Sequence, residues 1–174
     1  MDSLLIVDGY NIIHAWSELS QISRELDLEA ARDRLLHILA NYSGASHVKV
    51  IVVFDAYQTD RKTSTSRKES GVEIVFTPKG MTADTYIEHL VENIDTRNYP
   101  VQVATSDAAE QSMVLGSGAI RLSARELQLR CREATQKQNE YLSRRETVKP
   151  HTLGNILSEE MISKLKKAIS QEEE

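Results

Sequence analysis

Three hydrophobic runs of the chain each lead into an aspartate, over Leu4–Asp8, Val50–Asp55 and Val101–Asp107. Their Val and Ile content is typical of buried strands in a parallel sheet, whose carboxyl ends meet along one edge. Sites of such folds lie at that edge. A fourth aspartate, Asp84, follows the predicted turn 79–82 at the expected start of a helix. We expect the four carboxylates to converge, so that their mutual repulsion must be relieved by protons or by a cation.

Oxygen-only ligands of this kind suit Mg²⁺ or Mn²⁺, and the pattern therefore indicates a metal-dependent phosphoryl-transfer site. Asp8 and Asp107 are predicted to contact the metal directly, because their strands are expected to be neighbours at the centre of the sheet. Asp84 is the third expected metal-binding residue and is expected to act through water or by orienting the nucleophile. Asp55 is expected to bind through water or to orient the nucleophile.

Each aspartate also has a purely structural interpretation. Asp8 could belong to a strand-end turn, with Asn11 as the cap of the helix that follows. Asp55 could accept hydrogen bonds from a turn, and Asp107 could cap a helix. Asp84 could simply interact favourably with the dipole of the helix that follows. The coincidence of three aspartates at corresponding strand ends favours the site over four separate structural roles.

Other chemistries of α/β folds lack their motifs here. A phosphoaspartate phosphatase needs Asp-x-Asp after the first strand, but Tyr10 stands at the second aspartate position. The sequence contains neither a Gly-x-Gly-x-x-Gly nor a P-loop pattern. Its five histidines show no metal-ligand spacing and it has a single cysteine, so a zinc site is not expected.

Composition and length indicate one soluble domain. The chain has 174 residues, of which 40% are hydrophobic and 27% charged, with a net charge of −5. No run is long and apolar enough to cross a membrane, and no cleavable leader is expected at the N-terminus. The single cysteine, Cys131, excludes an internal disulfide, predicts no disulfide-linked partner and agrees with a cytoplasmic location. Composition does not predict an oligomeric state.

Positive charge is concentrated in two segments despite the acidic total. Residues 61–68 hold four cations and no acid, and residues 121–149 hold eight cations against four glutamates. An acidic crevice beside basic segments is compatible with a nuclease that grips a polyanion. The expected RNA contacts are Arg61, Lys62, Arg67 and Lys68, together with Arg125, Arg130 and Arg132 of the basic helix. A solvated loop and an ordinary charged helix face are the alternative interpretation of these residues.

Alternating strand and helix patterns predict an α/β fold with a central, mostly parallel sheet of about five strands and helices on both faces. Strands are predicted at about 4–8, 48–55, 72–77, 101–107 and 119–122. Helices are predicted at about 11–22, 28–42, 82–94, a short segment ending near 116, 123–143 and a last amphipathic helix from 158. The polar segment 57–71 is predicted to be a loop.

The ordered motifs carry a resemblance. Asp8-Gly9-Tyr10-Asn11, Phe54-Asp55, Gly80-Met81-Thr82-Ala83-Asp84 and Thr105-Ser106-Asp107 resemble the NYN branch of the PIN-like nucleases, in particular the YacP-type bacterial endoribonucleases, which associate with ribosomes. The resemblance implies a PIN-like three-layer sandwich over 1–145. The C-terminal extension at 146–174 is expected to pack on the same domain, with contact to a partner as the alternative.

The resemblance also implies a Mg²⁺- or Mn²⁺-dependent endoribonuclease acting on RNA, with mRNA on the ribosome as substrate. Its site residues carry over to Asp8, Asp55, Asp84 and Asp107, with Asn11 and Ser106 as supporting polar groups. Stacking of an unpaired base is possible at Tyr10, Tyr57 or Trp16, although core packing is favoured for Trp16. The alternatives are an inactive RNA- or ribosome-binding module and a 5′-nuclease acting on DNA.

Overall fold

The structure, a computed structural model, describes residues 3–56, 64–96, 100–106 and 118–147, with side chains up to residue 143. It divides into two compact units, Met1–Gln138 and Asn139–Glu174. The described part of the second unit is helical. None of the described helices is long and apolar enough to cross a membrane. The division into 1–145 and 146–174 stays a prediction.

Six strands form one sheet in the order β3-β4-β2-β1-β5-β6. All neighbouring pairs are parallel except β3 with β4. The central strand β1 is buried along its whole length and lies between β2 and β5, as predicted for strands that end beside Asp8 and Asp107. The bounds are Leu4–Asp8 for β1, Lys49–Phe54 for β2, Thr65–Glu69 for β3, Val72–Phe76 for β4, Val101–Thr105 for β5 and Ile120–Ser123 for β6.

The described helices are α1 (Gly9–Ala15), α2 (Ser17–Glu25), α3 (Leu28–Ser46), α4 (Ala83–Glu92) and α5 (Ala124–Thr147). The single helix predicted at 11–22 is wrong, because the chain breaks at Trp16, whose backbone is extended. The Trp16 side chain is buried, and its Nε1 donates a hydrogen bond to the Ala124 carbonyl at 2.8 Å. Burial of the indole confirms core packing and leaves it unavailable for base stacking.

The prediction of a loop over 57–71 is wrong for residues 65–69, which form β3. Ser70 and Gly71 both adopt positive φ (50° and 84°) and connect β3 to β4 as a two-residue hairpin. The strand lacks an apolar period because it lies at the sheet edge and its side chains are largely exposed. Its charged sequence therefore gave no strand signal.

Alternation along the strands divides the core into two clusters, one on each face of the sheet. Leu5 and Val7 pack with residues of α1, α2, α3 and α5. Leu4 and Ile6 pack with residues of α4. The helices thus cover both faces, as predicted. Because side chains alternate along a strand, Asp8 continues the side of Leu4 and Ile6, toward α4.

The predicted capping box begins α5. The Glu126 backbone N–H donates to Ser123 Oγ at 3.2 Å, and the Ser123 N–H donates to Glu126 Oε2 at 2.8 Å. Hydrogen bonds donated to the Glu126 carboxylate, first by the Ser123 hydroxyl and then by the Ser123 backbone N–H, lower the pKa of Glu126. Farther along α5, burial raises the pKa of the Cys131 thiol to about 12, so it stays protonated at neutral pH, as expected for an inert thiol. The helices predicted to end near 116 and to begin at 158 lie outside the described residues.

Gly9 is required by close packing where β1 passes into α1. A Cβ atom at this position would overlap the ring of Phe54, whereas a Cβ at Gly44 in α3 would meet nothing within 4 Å. We expect Gly9→Ala to destabilise the fold by about 1–3 kcal/mol through overpacking. Gly44→Ala is the matched control and should be neutral or stabilising by up to about 1 kcal/mol. Chemical denaturation of both variants measures the difference, and equal stabilities would contradict this packing argument.

Candidate active site

Asp8 ends the central strand and begins the helix that follows it. Its Oδ1 accepts a hydrogen bond from the Asn11 backbone N–H at 3.0 Å, so the side chain is the N-cap of α1. Only 6% of the residue is exposed. Asp8 thus has a structural role as the helix cap, which the sequence did not predict, but one hydrogen bond does not offset the burial of a carboxylate.

Asp55 follows β2 at the same edge. The Thr77 N–H donates to the Phe54 carbonyl at 3.0 Å, and Thr77 Oγ1 accepts from the Ala56 N–H at 3.2 Å, which fixes the chain on both sides of Asp55. The carboxylate accepts a hydrogen bond from the Ala83 N–H. Its Oδ1 is buried and has no hydrogen-bond partner in the described part of the chain.

Asp84 reaches this edge from α4. The predicted turn before the helix is present: the Met81 N–H donates to the Pro78 carbonyl at 3.1 Å, with Gly80 at φ 83°. The Thr82 side chain then caps α4 by accepting from the Thr85 N–H at 3.2 Å. Asp84 therefore lies in the first turn of α4, on the face of the sheet toward which Asp8 points.

The structure brings Asp8, Asp55 and Asp84 together electrostatically. Burial, followed by the charges of Asp84 and Asp55 and a side-chain hydrogen bond with Asp84, raises the pKa of Asp8 to about 7, against the lowering effect of the Asn11 N–H. Burial and then the charge of Asp84 raise the pKa of Asp55, against the Ala83 N–H. A proton held by Asp8 at neutral pH relieves part of the repulsion in the metal-free protein.

Asn11 and Ser106 connect α1 to the end of β5 across 95 residues of sequence. The Ser106 N–H donates to Asn11 Oδ1 at 3.2 Å, and the Ser106 hydroxyl donates to the same oxygen. Since the Asn11 backbone N–H also bonds to Asp8, these three predicted residues form one hydrogen-bonded chain at the edge. Asp107 follows Ser106 in sequence but lies outside the described residues.

The residues predicted to contact RNA are spread over several elements of the fold, unlike the described acids, which share one edge of the sheet. Arg67 and Lys68 are exposed on β3, opposite Ile74 and Glu73, and Arg67 Nη2 lies 3.4 Å from Glu69 Oε2. Arg125 is exposed in the first turn of α5. Tyr10 is half-buried in α1, with its ring centroid 5.0 Å from that of Phe54. Arg61, Lys62 and Tyr57 lie outside the described residues.

The donor set at this edge is chemically suited to a hard divalent cation. The described residues contain no group of three His, Cys, Asp or Glu side chains positioned to hold a metal ion. They do contain a buried carboxylate oxygen of Asp55 without a partner and two further acids whose charges oppose each other. A cation bound by oxygen ligands would satisfy both features.

Two features of this edge were not predicted from the sequence. Thr77 is buried and holds the ends of β2 and β4 together, but a threonine before Pro78 gives no distinctive signal. Arg32 of α3 contacts Tyr10 and Phe76 at the same edge. No local motif relates Arg32 to Tyr10, which lies 22 positions earlier in the chain. Only a comparison of many sequences could have found this pair.

Comparisons with a family model and with a known protein both indicate similarity to YacP-like proteins. The YacP-like NYN domain family model matches residues 5–170. The uncharacterized protein YacP of Bacillus subtilis (strain 168) is 38% identical over 166 residues, covering 94% of this chain and 95% of that protein.

Solved structures agree in fold. A crystal structure of Rae1 (YacP) from Bacillus subtilis superposes with a TM-score of 0.71 at 36% identity, over 98% of this chain and 95% of that one. The crystal structure of a mutant of the same protein gives a TM-score of 0.72 at 35% identity, over 86% and 87%.

The raised pKa of Asp8 predicts how metal-free stability depends on pH. The folded protein retains a proton that the unfolded chain loses above the ordinary pKa of 3.8, so stability should fall as pH rises from there to about 7. Asp8→Asn keeps a capping side chain and removes the charge. In EDTA near pH 8 it should melt above the wild type and show a flatter pH profile.

The matched control is Asp27→Asn, since Asp27 caps α3 by accepting from the Ala30 N–H at 2.7 Å but is exposed. Its melting curve should follow the wild type across the same pH range. If Asp8→Asn melts well below both proteins at pH 8, the charge on Asp8 does not oppose folding.

Proposed function

The chain belongs to the YacP-like NYN domain family, and on this premise we propose that it is a metal-dependent endoribonuclease that cleaves RNA. The observation that carries the proposal is the buried Asp8 carboxyl in contact with the charges of Asp84 and Asp55 at the carboxyl edge of a parallel sheet. An acidic cluster repels a polyanion unless a bound cation offsets its negative charge. The proposal therefore includes Mg²⁺ or Mn²⁺.

The residues that would hold the cation are Asp8, Asp84 and Asp107, with the free Oδ1 of Asp55 as a further ligand or as an acceptor for the attacking water. A divalent ion bound there would lower the pKa of a water molecule that it coordinates and would neutralise charge developing on the phosphate. In the proposed reaction water attacks the scissile phosphorus in line with the leaving 3′-oxygen. The products keep a 5′-phosphate and a free 3′-hydroxyl.

Asn11 is proposed to hold the substrate phosphate. Ser106 occupies its carbonyl oxygen through both the backbone N–H and the hydroxyl, which fixes the orientation of the amide. The amide nitrogen is the end that can donate to a phosphate oxygen. Asn11 and Ser106 thus supply a neutral polar contact between the acids, where a further charge would add repulsion.

The proposed substrate is mRNA on the ribosome, in the cytoplasm. Little at this edge provides base-specific hydrogen bonding, so selectivity would come from docking on a partner. Basic side chains of β3 and α5, including Arg67, Lys68 and Arg125, are exposed and available to RNA. A catalytically inactive RNA- or ribosome-binding module would use the same basic residues but would not need three interacting carboxylates.

Cleavage assays test the proposal directly. Single-stranded RNA and ribosome-bound mRNA are incubated with and without Mg²⁺ or Mn²⁺, and the new ends are mapped. Asp8→Asn and Asp107→Asn should each lower the turnover at least about 100-fold, the usual scale for loss of a charge-stabilising group. Asp27→Asn should cleave like the wild type. Undiminished turnover in Asp8→Asn at saturating metal would refute the site.

Metal binding has an independent readout. Divalent ion should raise the melting temperature of the wild type as its concentration passes the dissociation constant, by mass action on the folded state. Asp107→Asn should be at least as stable as the wild type in EDTA and should gain less from Mg²⁺. If it melts well below the wild type in EDTA while the wild type ignores both ions, Asp107 is only a helix cap.

The basic residues give a separate prediction for binding. Replacing Arg61, Lys62, Arg67 and Lys68 with alanine should weaken RNA or ribosome binding and flatten its salt dependence, because fewer counterions are released. Metal-dependent melting should barely change. Arg24→Ala in α2 serves as a control. An unaltered affinity and salt slope in the quadruple variant would make this segment a solvated connector.

A further inference from the structure

Arg32, in the second turn of α3, has a guanidinium packed on aromatic rings. Its Cζ lies 5.8 Å from the ring centroid of Phe76, and Nη1 donates to the Tyr10 hydroxyl at 3.3 Å. The residue is half-buried, and no carboxylate in the described part of the chain forms an ion pair with it. Arg34 on the same helix differs, since its Nη2 lies 2.8 Å from Glu18 Oε1.

The aromatic side chains link Arg32 to the acidic edge. The Phe54 ring lies between those of Tyr10 and Phe76, with centroid distances of 5.0 and 5.7 Å. Phe54 directly precedes Asp55, and Tyr10 follows Asp8 by two residues. These rings pack with the α3 side of the sheet, whereas the acids lie on the α4 side. One sheet edge therefore carries acids on one face and a cation on the other.

A half-buried cation without an acidic partner favours an anionic ligand. A single cation–π contact is a weak interaction and does not use the N–H donors of the guanidinium. The planar guanidinium matches two phosphate oxygens in a way that an ammonium does not. Its contact with the Tyr10 hydroxyl and the Phe76 ring restricts the orientation of the side chain before a ligand arrives.

We propose that Arg32 is a phosphate-binding residue for the RNA substrate, holding a backbone phosphate other than the scissile one on the α3 side of the edge. Tyr10 is a positioning residue, because its hydroxyl accepts the hydrogen bond from the guanidinium. This inference rests on the proposed function, from which it takes RNA as the ligand. RNA bound in this way would cross the sheet edge from the acids toward α3.

Binding of a fluorescent single-stranded RNA is measured in EDTA over a range of salt concentrations, so that the result does not depend on cleavage. Arg32→Gln should weaken binding about tenfold, the scale of one lost charge-assisted contact. Its salt slope should fall by about 0.7, the value for one phosphate on a single strand. In cleavage assays with metal, KM should rise about as much while kcat stays within roughly twofold.

Arg32→Lys and Arg34→Gln are the matched variants. Arg32→Lys keeps the charge and should retain the salt slope with a smaller loss of affinity. Arg34→Gln removes a charge from the same helix and should leave both the affinity and the slope at wild-type values. If Arg32→Gln and Arg34→Gln bind RNA alike, Arg32 only packs against the aromatic rings and the inference is wrong.

A measurement on the wild type covers the case in which Arg32→Gln does not fold. The arginine Nε–Hε signals are followed by NMR during titration with a short uridine oligonucleotide, and Arg32→Lys assigns the Arg32 signal. A shift of that signal that saturates with the oligonucleotide supports the subsite, and an unmoved signal overturns it. Wild type that binds RNA through Arg32 without metal-dependent cleavage would refute the proposed function alone.

Discussion

Burial of the Asp8 carboxyl beside two other acids is the constraint on which the carboxyl edge of the sheet depends. The central strand is buried along its whole length, so its last side chain has little contact with bulk water. One backbone N–H, from Asn11, offsets part of the cost of burial, and the charges of Asp84 and Asp55 add to that cost. The edge is therefore organised around a charge that must be neutralised by a proton or a cation.

The surrounding structure holds the acids in place although they repel each other. Thr77 fixes the ends of β2 and β4, and Thr82 caps α4 so that Asp84 stays in its first turn. Gly9 lets the Phe54 ring pack directly against the start of α1. Each of these contacts is neutral. Rigid neutral contacts can oppose electrostatic repulsion without removing the charge that a metal ion would use.

The two faces of the sheet give this edge two different chemical characters. The alternation of side chains sends Asp8 toward α4, while Tyr10 and Phe54 pack on the α3 side with Arg32. The proposed polyanionic substrate would meet acids, and with them the proposed cation site, on one side of the edge and a guanidinium on the other. Such an arrangement favours a ligand with several phosphates over a single phosphate group.

Much of the fold was predictable because the hydrophobic pattern reports burial directly. The runs ending at Asp8 and Asp55 gave the parallel strands, and the spacing of Ser123 and Glu126 gave the start of α5. The edge strand β3 was missed because an exposed strand needs no apolar period. The break at Trp16 was missed because helical spacing of apolar residues continues through it.

The sequence by itself determined which residue types reach the carboxyl edge, since strand length and side-chain alternation follow from local pattern. It could therefore predict that Asp8, Asp55 and Asp84 share one edge. Only the tertiary structure decided how strongly Asp8 is desolvated, that the Asp55 Oδ1 lacks a partner, and that Arg32 meets Tyr10. Desolvation and unpaired atoms depend on what packs from other elements, and such long-range packing leaves no local periodicity in the chain.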